Sequence, residues 1–177
     1  MAIATESAVS EEIAHQEIQV ACFRLGQELY GLNIMQIKEI IRPQKLTPVP
    51  KAPPFIEGVI NLRGLVIPVA DMRKRFDQVV REEPRKNRIL VCALSDRIVG
   101  LLVDEVMEVR RFTRKDVVPA PQFIKGPEAD FFLGVARQED RLIMLIDLAR
   151  VLSQAGRISL PSLDQVAAVT EQSLEEG

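Results

Sequence analysis

The second half of the sequence repeats the pattern of the first half, and this duplication restricts the possible folds more than any other feature. Tyr30-Gly31-Leu32 matches Val99-Gly100-Leu101. The same displacement along the chain pairs Ile37 with Val106, Glu39 with Glu108, and Ile40 with Val109. After a deletion of one residue in the second copy, Phe55-Ile56-Glu57-Gly58 matches Phe123-Ile124-Lys125-Gly126, and each run follows a proline-rich connector. We therefore expect two copies of one structural unit.

Each copy contains apolar, β-branched runs that are separated by short polar breaks. Such runs predict β-hairpins around Gly26-Gln27, Arg63-Gly64, Ser95-Asp96 and Glu139-Asp140. Residues 34–41 place isoleucines at three- and four-residue spacing, which predicts one or two helical turns capped by Asn33. Asp71 and Asp147 are each predicted to cap a short helix.

The number and the length of these strands limit the possible architectures. Each copy supplies about five strands of roughly 4–7 residues, which are too few to bury a core as a flat sheet. A closed barrel removes the exposed sheet edges and fills its interior with aliphatic side chains. We therefore predict a mainly β fold of two small barrels with short helices and an apolar groove between the barrels. Residues 34–41 and 103–109 are the predicted walls of this groove.

Composition and charge exclude several classes of protein. The 23 basic and 25 acidic residues give a net charge of −2, whereas a nucleic-acid binder concentrates positive charge. The chain has no tryptophan and one tyrosine, so it lacks aromatic platforms for stacking bases. No apolar run approaches the ~20 residues that span a bilayer, which argues against direct membrane insertion. Residues 1–16 are acidic and unlike a secretory signal, so we expect a cytoplasmic protein.

The sequence divides into a central folded part and two terminal segments. We expect a flexible tail over residues 1–16, one folded domain over residues 17–155, and a second tail over residues 156–177. Leu163, Val166 and Val169 give the second tail a helical period, so it is a candidate helix.

The inventory of reactive side chains indicates a binding protein rather than an enzyme. The one histidine, His15, lies in the predicted N-terminal tail. No cluster of ligand residues has metal spacing, and the glycines form no phosphate-binding motif. Cys22 and Cys92 lie in apolar runs and are expected as buried free thiols, although a disulfide between them stays possible in principle. Asp104 and Glu105 are neighbours in a predicted strand and would face opposite sides. We expect no catalytic residue, metal or cofactor.

The predicted fold does not assign a structural role to the charge of Arg63. It lies at the tight turn between two apolar strands, where it stays solvated while rigid strands fix its position. Its simplest interpretation is a solvated turn charge, and the alternative is a binding residue.

Three motifs resemble the CheW-like domain family of chemotaxis coupling proteins. They are the segment Tyr30-Gly31-Leu32-Asn33-Ile34 with Ile37-Lys38-Glu39-Ile40, the run over residues 55–71 that contains Asn61-Leu62-Arg63-Gly64, and Val118-Pro119-Ala120-Pro121 with Phe123. The resemblance covers roughly residues 17–152. It implies two five-stranded SH3-like barrels, in agreement with the internal duplication.

The resemblance also implies roles for particular residues. Glu39 and Arg63 are implied to form a charged pair beside a receptor-binding groove, with Ile37 inside the groove and Asn61 in the same site. The internal repeat extends this groove to Val106 and Val109. Core packing is the alternative interpretation of Ile37, Val106 and Val109. Phe123 is a candidate contact for the kinase, and its alternative is a core phenylalanine.

The implied function is that of an adaptor with two protein partners. These partners are the cytoplasmic signalling tip of chemoreceptors and the regulatory domain of the histidine kinase CheA, in arrays at the membrane. Only 25 residues follow Leu152, so we expect a stand-alone adaptor without a receiver domain. Two alternatives are an adaptor of a non-flagellar pathway, such as pilus motility or biofilm signalling, and an SH3-like nucleic-acid-binding module.

Overall fold

The described part of the chain forms two β-sheets and two short α-helices. The computed structural model describes residues 16–79, 83–119 and 127–153. The strands are β1 (Glu17–Leu25), β2 (Glu28–Asn33), β3 (Ile37–Ile41), β4 (Ile56–Leu62), β5 (Leu65–Asp71), β6 (Arg88–Leu94), β7 (Arg97–Val103), β8 (Glu105–Thr113), β9 (Val117–Val118), β10 (Phe132–Gln138) and β11 (Arg141–Ile146). The helices are α1 (Met72–Arg75) and α2 (Leu148–Ser153). None of the described helices has the length and apolar character that crossing a membrane requires.

The four predicted hairpins are confirmed at the predicted turns, namely β1–β2, β4–β5, β6–β7 and β10–β11. The helical prediction for residues 34–41 is largely wrong. Asn33 does cap a helical turn, since its Oδ1 accepts a hydrogen bond from the Met35 N–H at 3.0 Å, but this 3-10 turn covers only Ile34–Gln36. The following residues form β3, which pairs with β6. Isoleucine loses rotamer freedom in a helix and packs well on a pleated sheet, so the spacing of apolar residues was the weaker indicator.

The two sequence copies exchange strands between the sheets. The first sheet has the order β8-β1-β2-β11-β10-β9, and the second has the order β3-β6-β7-β5-β4. The first sheet contains the hairpin β1–β2 of the first copy, together with β8, β9, β10 and β11 of the second copy. The second sheet contains the hairpin β6–β7 of the second copy, together with β3, β4 and β5 of the first copy. Parallel pairings between β2 and β11 and between β5 and β7 join the copies. The prediction of two barrels is confirmed, but neither copy builds a barrel from its own strands alone.

Each barrel is closed by the segment that follows its edge strand. After β3, Thr47 exchanges two backbone hydrogen bonds with Val59 of β4, at 2.8 and 2.9 Å. After β8, the short strand β9 pairs with β10 in the equivalent place, with Val118 opposite Val135. The closing segment thus covers the free edge of β4 or β10, which would otherwise expose unpaired backbone groups.

The structure corrects one equivalence between the copies. The Phe55 carbonyl accepts a hydrogen bond from the Asp71 N–H at 2.7 Å, and the Phe131 carbonyl accepts one from the Asp147 N–H at 2.8 Å. Phe131 is therefore the counterpart of Phe55, and the match to Phe123 is wrong. The second copy is therefore longer than the first between the closing segment and this phenylalanine, from Val118 to Phe131 as compared with Thr47 to Phe55. Phe123 itself lies outside the described residues.

Side chains from both barrels form a packed core where the barrels meet. Its buried side chains come from both sheets and from both helices, and they include Phe23, Tyr30, Leu101, Phe132 and Val151. Tyr30 stacks on Phe76 with ring centroids 5.2 Å apart. Two smaller clusters fill the barrel interiors. Both cysteines are free and buried, as predicted, with Cys92 in the central core and Cys22 in one of the smaller clusters.

Three buried charged side chains join elements that are distant in sequence. Arg73 donates to Asp71 Oδ1 and Oδ2 at 3.0 Å and to Asp104 Oδ1 at 3.1 Å, and Asp104 Oδ2 accepts the Gly26 N–H at 2.7 Å. Burial opposes the charge on Arg73, but its bonds to the two aspartates outweigh this effect and raise its pKa. Asp71 caps α1 as predicted, since its Oδ1 also accepts the Arg73 N–H. The connection to Asp104 was not predicted.

We predict that Arg73→Met lowers the free energy of unfolding by about 3–5 kcal/mol, because it leaves two buried carboxylates without their cation. Urea denaturation followed by circular dichroism measures this loss. The neighbouring variant Lys74→Met serves as the control, because Lys74 is 46% exposed and its pair with Glu57 contributes about 0–1 kcal/mol. Equal losses in the two variants would contradict the structural role of the buried cluster.

We predict that Gly58→Ala lowers the free energy of unfolding by about 1–3 kcal/mol or more, because the Gly58 φ of +150° is unfavourable for other residues. A Cβ at this position would also overlap the carbonyl oxygen of Thr47, which closes the barrel. Gly64→Asn is the matched control, since Gly64 has a φ of +87° but its Cβ would meet no atom within 4 Å. The same urea titration compares the two, and a larger loss for Gly64→Asn would contradict the closing contact.

Candidate functional site

The β4–β5 turn holds Arg63 in a fixed position. Arg63 and Gly64 have φ values of +52° and +87°, as a tight hairpin turn with two left-handed residues requires. Asn61 Oδ1 accepts a hydrogen bond from the Gly64 N–H at 2.9 Å, and this bond stabilises the turn. Asn61 therefore supports the position of Arg63, and whether it also contacts a receptor stays a prediction.

Glu39 and Arg63 form the charged pair that the resemblance implied. Arg63 Nη2 donates to both carboxylate oxygens of Glu39. Glu39 lies on β3 and Arg63 lies on the β4–β5 turn, at opposite ends of the strand order of the second sheet. The pair therefore forms only because this sheet curls into a barrel.

The pair is exposed to solvent, and its two opposite charges compensate each other. The Arg63 side chain is 67% exposed and the Glu39 side chain is 34% exposed. The hydrogen bond from Arg63 to Glu39 and the negative charge of Glu39 raise the pKa of Arg63. A solvent-exposed pair adds little to folding stability because water and salt screen it. Its fixed geometry is thus available for recognition of a partner.

Two exposed apolar side chains are close in sequence to the pair. Ile40 is 44% exposed on β3, next to Glu39, and Leu65 is 38% exposed two residues after Arg63. Ile37, predicted to line the groove, is half-buried and packs against the core between the barrels, and receptor contact at Ile37 stays a prediction.

The structure does not bring Val106 and Val109 into the same barrel as the pair. Both lie on β8 of the first sheet. Val106 packs against the central core in the same way as Ile37, whereas Val109 is 52% exposed. The equivalence of Val106 to Ile37 is confirmed, because Val106 pairs with Phe23 and Ile37 pairs with Cys92, and these partners are themselves equivalent in the two copies. Receptor contact at Val106 and Val109 stays a prediction.

The first barrel carries different charges at the two positions that correspond to Glu39 and Arg63, which we call the corner of each barrel. Glu108 is the counterpart of Glu39, and Glu139, with a φ of +49°, is the counterpart of Arg63. Two glutamates cannot pair, and Glu108 accepts a hydrogen bond from Arg110 Nε at 2.8 Å instead. The duplicated scaffold therefore displays the bridging pair on its second barrel and a different corner on its first.

A second exposed surface, which the sequence did not predict, lies on the first sheet. Met107 is 43% exposed and Leu142 is 49% exposed, and they line one open concavity of about 670 Å³ together with Leu29 and Met144. Arg24 and Arg141 line the same concavity. The alternation of Leu142, Ile143 and Met144 in β11 places Leu142 and Met144 on the face opposite to the buried Ile143, which is the pattern that could have revealed this surface.

The described residues provide no arrangement for metal binding. Among residues 16–79, 83–119 and 127–153, no group of three histidine, cysteine or acidic side chains is positioned to hold a metal ion. The buried carboxylates of Asp71 and Asp104 are separated by Arg73, which neutralises them.

Comparisons with known proteins agree with this architecture. The family model described as CheW-like domain matches residues 19–156. The chemotaxis protein CheW of Treponema pallidum is 33% identical over 154 residues, which is 84% of this chain and 89% of that protein. CheW of Bacillus subtilis is 35% identical over 146 residues, covering 82% of this chain and 93% of that protein. Protein FrzA of Myxococcus xanthus is 30% identical over 145 residues, covering 80% and 89%.

A solved structure shows the same fold. The scaffolding protein TtCheW from Thermoanaerobacter tengcongensis superposes with a TM-score of 0.75 at 33% identity, covering 82% of this chain and all of that chain. With the family model and these relatives in agreement, the chain belongs to the CheW-like domain family of chemotaxis adaptors.

Proposed function

We propose that this protein is a non-catalytic adaptor that couples chemoreceptors to the histidine kinase CheA in bacterial chemotaxis signalling. The observation that carries this proposal is the solvent-exposed pair of Glu39 and Arg63 on a rigid corner of the second barrel. Family membership supplies the signalling context. In this proposal the protein works in the cytoplasm, in arrays at the membrane.

The receptor is proposed to dock beside this pair. A receptor signalling tip is a long helical hairpin, and an amphipathic helix can lay its apolar stripe on exposed apolar side chains. Ile40, which follows Glu39 in sequence, and Leu65, two residues after Arg63, are exposed side chains of this kind. The fixed order of negative Glu39 and positive Arg63 selects the orientation of the helix and rejects partners with the opposite charge pattern.

The kinase is proposed to dock on the first barrel. The exposed surface of Met107 and Leu142 is apolar at its centre and carries Arg24 and Arg141 beside it, as protein interfaces commonly do. Phe123 remains a proposed kinase contact from the sequence. Because the two surfaces lie on different barrels, one molecule can hold a receptor and a kinase at the same time.

We predict that reversing either charge, by Glu39→Arg or Arg63→Glu, abolishes co-sedimentation with receptor-containing membranes. The informative variant is the double exchange Glu39→Arg with Arg63→Glu, which restores an ion pair of opposite polarity. We expect it to keep the wild-type melting temperature and still fail to bind receptor, because the partner reads the order of the charges.

A matched control exchanges the charges of another exposed ion pair, Glu108→Arg with Arg110→Glu. This pair lies at the equivalent corner of the first barrel. This variant should bind receptor like the wild type. Recovery of receptor binding by the exchanged Glu39–Arg63 pair would show that the pair only supports the barrel, and the proposed recognition would then be wrong.

We predict that Leu142→Arg weakens binding to the CheA regulatory domain by about 30-fold or more, which corresponds to the 2 kcal/mol or more expected for a central interface residue. Isothermal titration calorimetry measures this change. Val79→Arg is the control, because Val79 is also apolar and is 75% exposed outside this surface. Receptor co-sedimentation should be unchanged in both variants, and a parallel loss of both partners would refute separate surfaces.

A further inference from the structure

Three arginines line one open concavity beside the second barrel. Arg42 directly follows β3, Arg85 lies in the loop before β6, and Arg88 begins β6. Together with Pro43 and Pro84 they line a concavity of about 600 Å³. The proposed receptor and kinase surfaces do not include this cluster.

The charges of these arginines are not compensated within the described residues. No carboxylate of the described residues forms an ion pair with Arg42, Arg85 or Arg88. The nearest acid in sequence, Glu83, lies 3.6 Å from Arg24 and 3.6 Å from Lys86. Three like charges around one space repel each other, so an anionic occupant would relieve this repulsion.

The local backbone limits the movement of the cluster. Pro43 and Pro84 have fixed φ angles next to Arg42 and Arg85. Arg88 Nη1 donates to the carbonyl oxygens of Arg85 and Asn87 at 2.9 and 2.8 Å, which ties its side chain to the loop. These restraints lower the entropy that a ligand would have to remove on binding.

The lining favours a carboxylate-rich peptide as the ligand class. A guanidinium presents its N–H groups in a planar fork that fits a carboxylate with two parallel hydrogen bonds. The described lining contains arginine and proline but no aromatic ring on which a nucleobase could stack. An open concavity of this size can accept several acidic side chains in succession.

The chain itself contains such a peptide, because its charge is separated along the sequence. Residues 16–153 contain 22 basic and 18 acidic residues, whereas residues 154–177 contain one basic and four acidic residues. Three of these acids, Glu171, Glu175 and Glu176, lie within six residues of each other. The basic body and the acidic segment are therefore complementary.

The acidic segment can reach the concavity. The 18 residues from Ser153 to Glu171 would have a root-mean-square span of about 23 Å as a flexible chain. A folded body of this size has a radius of gyration of about 14 Å. A tether of this kind gives an effective concentration in the millimolar range, which is sufficient for a weak electrostatic contact.

We infer that Arg42, Arg85 and Arg88 form a binding site for a glutamate-rich peptide and that residues 171–176 of the same chain occupy it. The bound segment covers the arginines in the free protein. Another acidic peptide has to displace it before it can use this surface. This inference does not depend on receptor or kinase binding.

The test is paramagnetic relaxation enhancement on the full chain with Ser173→Cys carrying a nitroxide label. The native thiols will not compete for the reagent at neutral pH, because burial raises the pKa of Cys22 to about 11 and that of Cys92 to about 12. We expect the backbone amide signals of Arg42, Gln44, Arg85 and Arg88 to lose most of their intensity. This effect should disappear when the three arginines are changed to glutamine, and also in about 0.5 M salt, which shortens the screening length.

A control variant removes three exposed positive charges elsewhere, by Lys51→Gln, Arg114→Gln and Arg137→Gln. It has the same net charge as the triple arginine variant and should retain the loss of intensity at the concavity. Broadening that is absent, that spreads evenly over the body, or that persists in the triple arginine variant would overturn the inference. Receptor and kinase are not in the sample, so failure here leaves the proposed function unaffected.

Discussion

The exchange of strands between the two sequence copies is the constraint on which the rest of the structure depends. Strands β3, β4 and β5 come from the first copy, but their sheet is completed by β6 and β7 of the second copy. Either copy alone would expose the strand edges that now form the parallel pairings between β2 and β11 and between β5 and β7. The buried cluster of Asp71, Arg73 and Asp104 reinforces the same connection, since it links α1 to the end of β7 and to the β1–β2 turn. The two barrels are thus expected to unfold as one cooperative unit.

Duplication gives the molecule two equivalent corners, and a few substitutions give them different surfaces. The first turn residue of each corner has a similar positive φ, +52° at Arg63 and +49° at Glu139. Only the second barrel has opposite charges at the two bridging positions, and only the first has the exposed apolar surface around Met107 and Leu142 in the described part of the chain. A symmetric scaffold with asymmetric side chains can bind two different partners without a second fold, because specificity depends on the residues of each surface.

Local patterns predicted the local structure, and long-range pairings escaped prediction for physical reasons. The alternation of apolar residues and the turn residues Arg63-Gly64 and Ser95-Asp96 identified all four hairpins, because a hairpin is determined by neighbouring residues. The exchange of strands could not be predicted, since the same hairpins fit a barrel within one copy equally well. The three- and four-residue spacing of the isoleucines predicts a helix over residues 34–41. The pairing of β3 with β6, which is distant in sequence, instead makes most of these residues a strand. At the site, Glu39 and Arg63 were identified through the family resemblance, whereas the concavity around Leu142 depends on four strands, β1, β2, β8 and β11, and has no signature in any one of them.

Barrel closure and partner recognition depend on the same geometry. The hydrogen bonds between Thr47 and Val59 bring the segment after β3 against β4, and they thereby bring Glu39 within reach of Arg63. An ion pair on two independent flexible elements would lose side-chain and backbone entropy whenever a partner bound it. Here the folding of the barrel has already fixed the backbone at both residues, and Asn61 restrains the turn that carries Arg63. The solvated pair adds little to stability, yet its position follows from the closure of the barrel. In the proposed function, the scaffold would therefore contribute to binding chiefly by preorganising two charges that would otherwise be too mobile to select a partner.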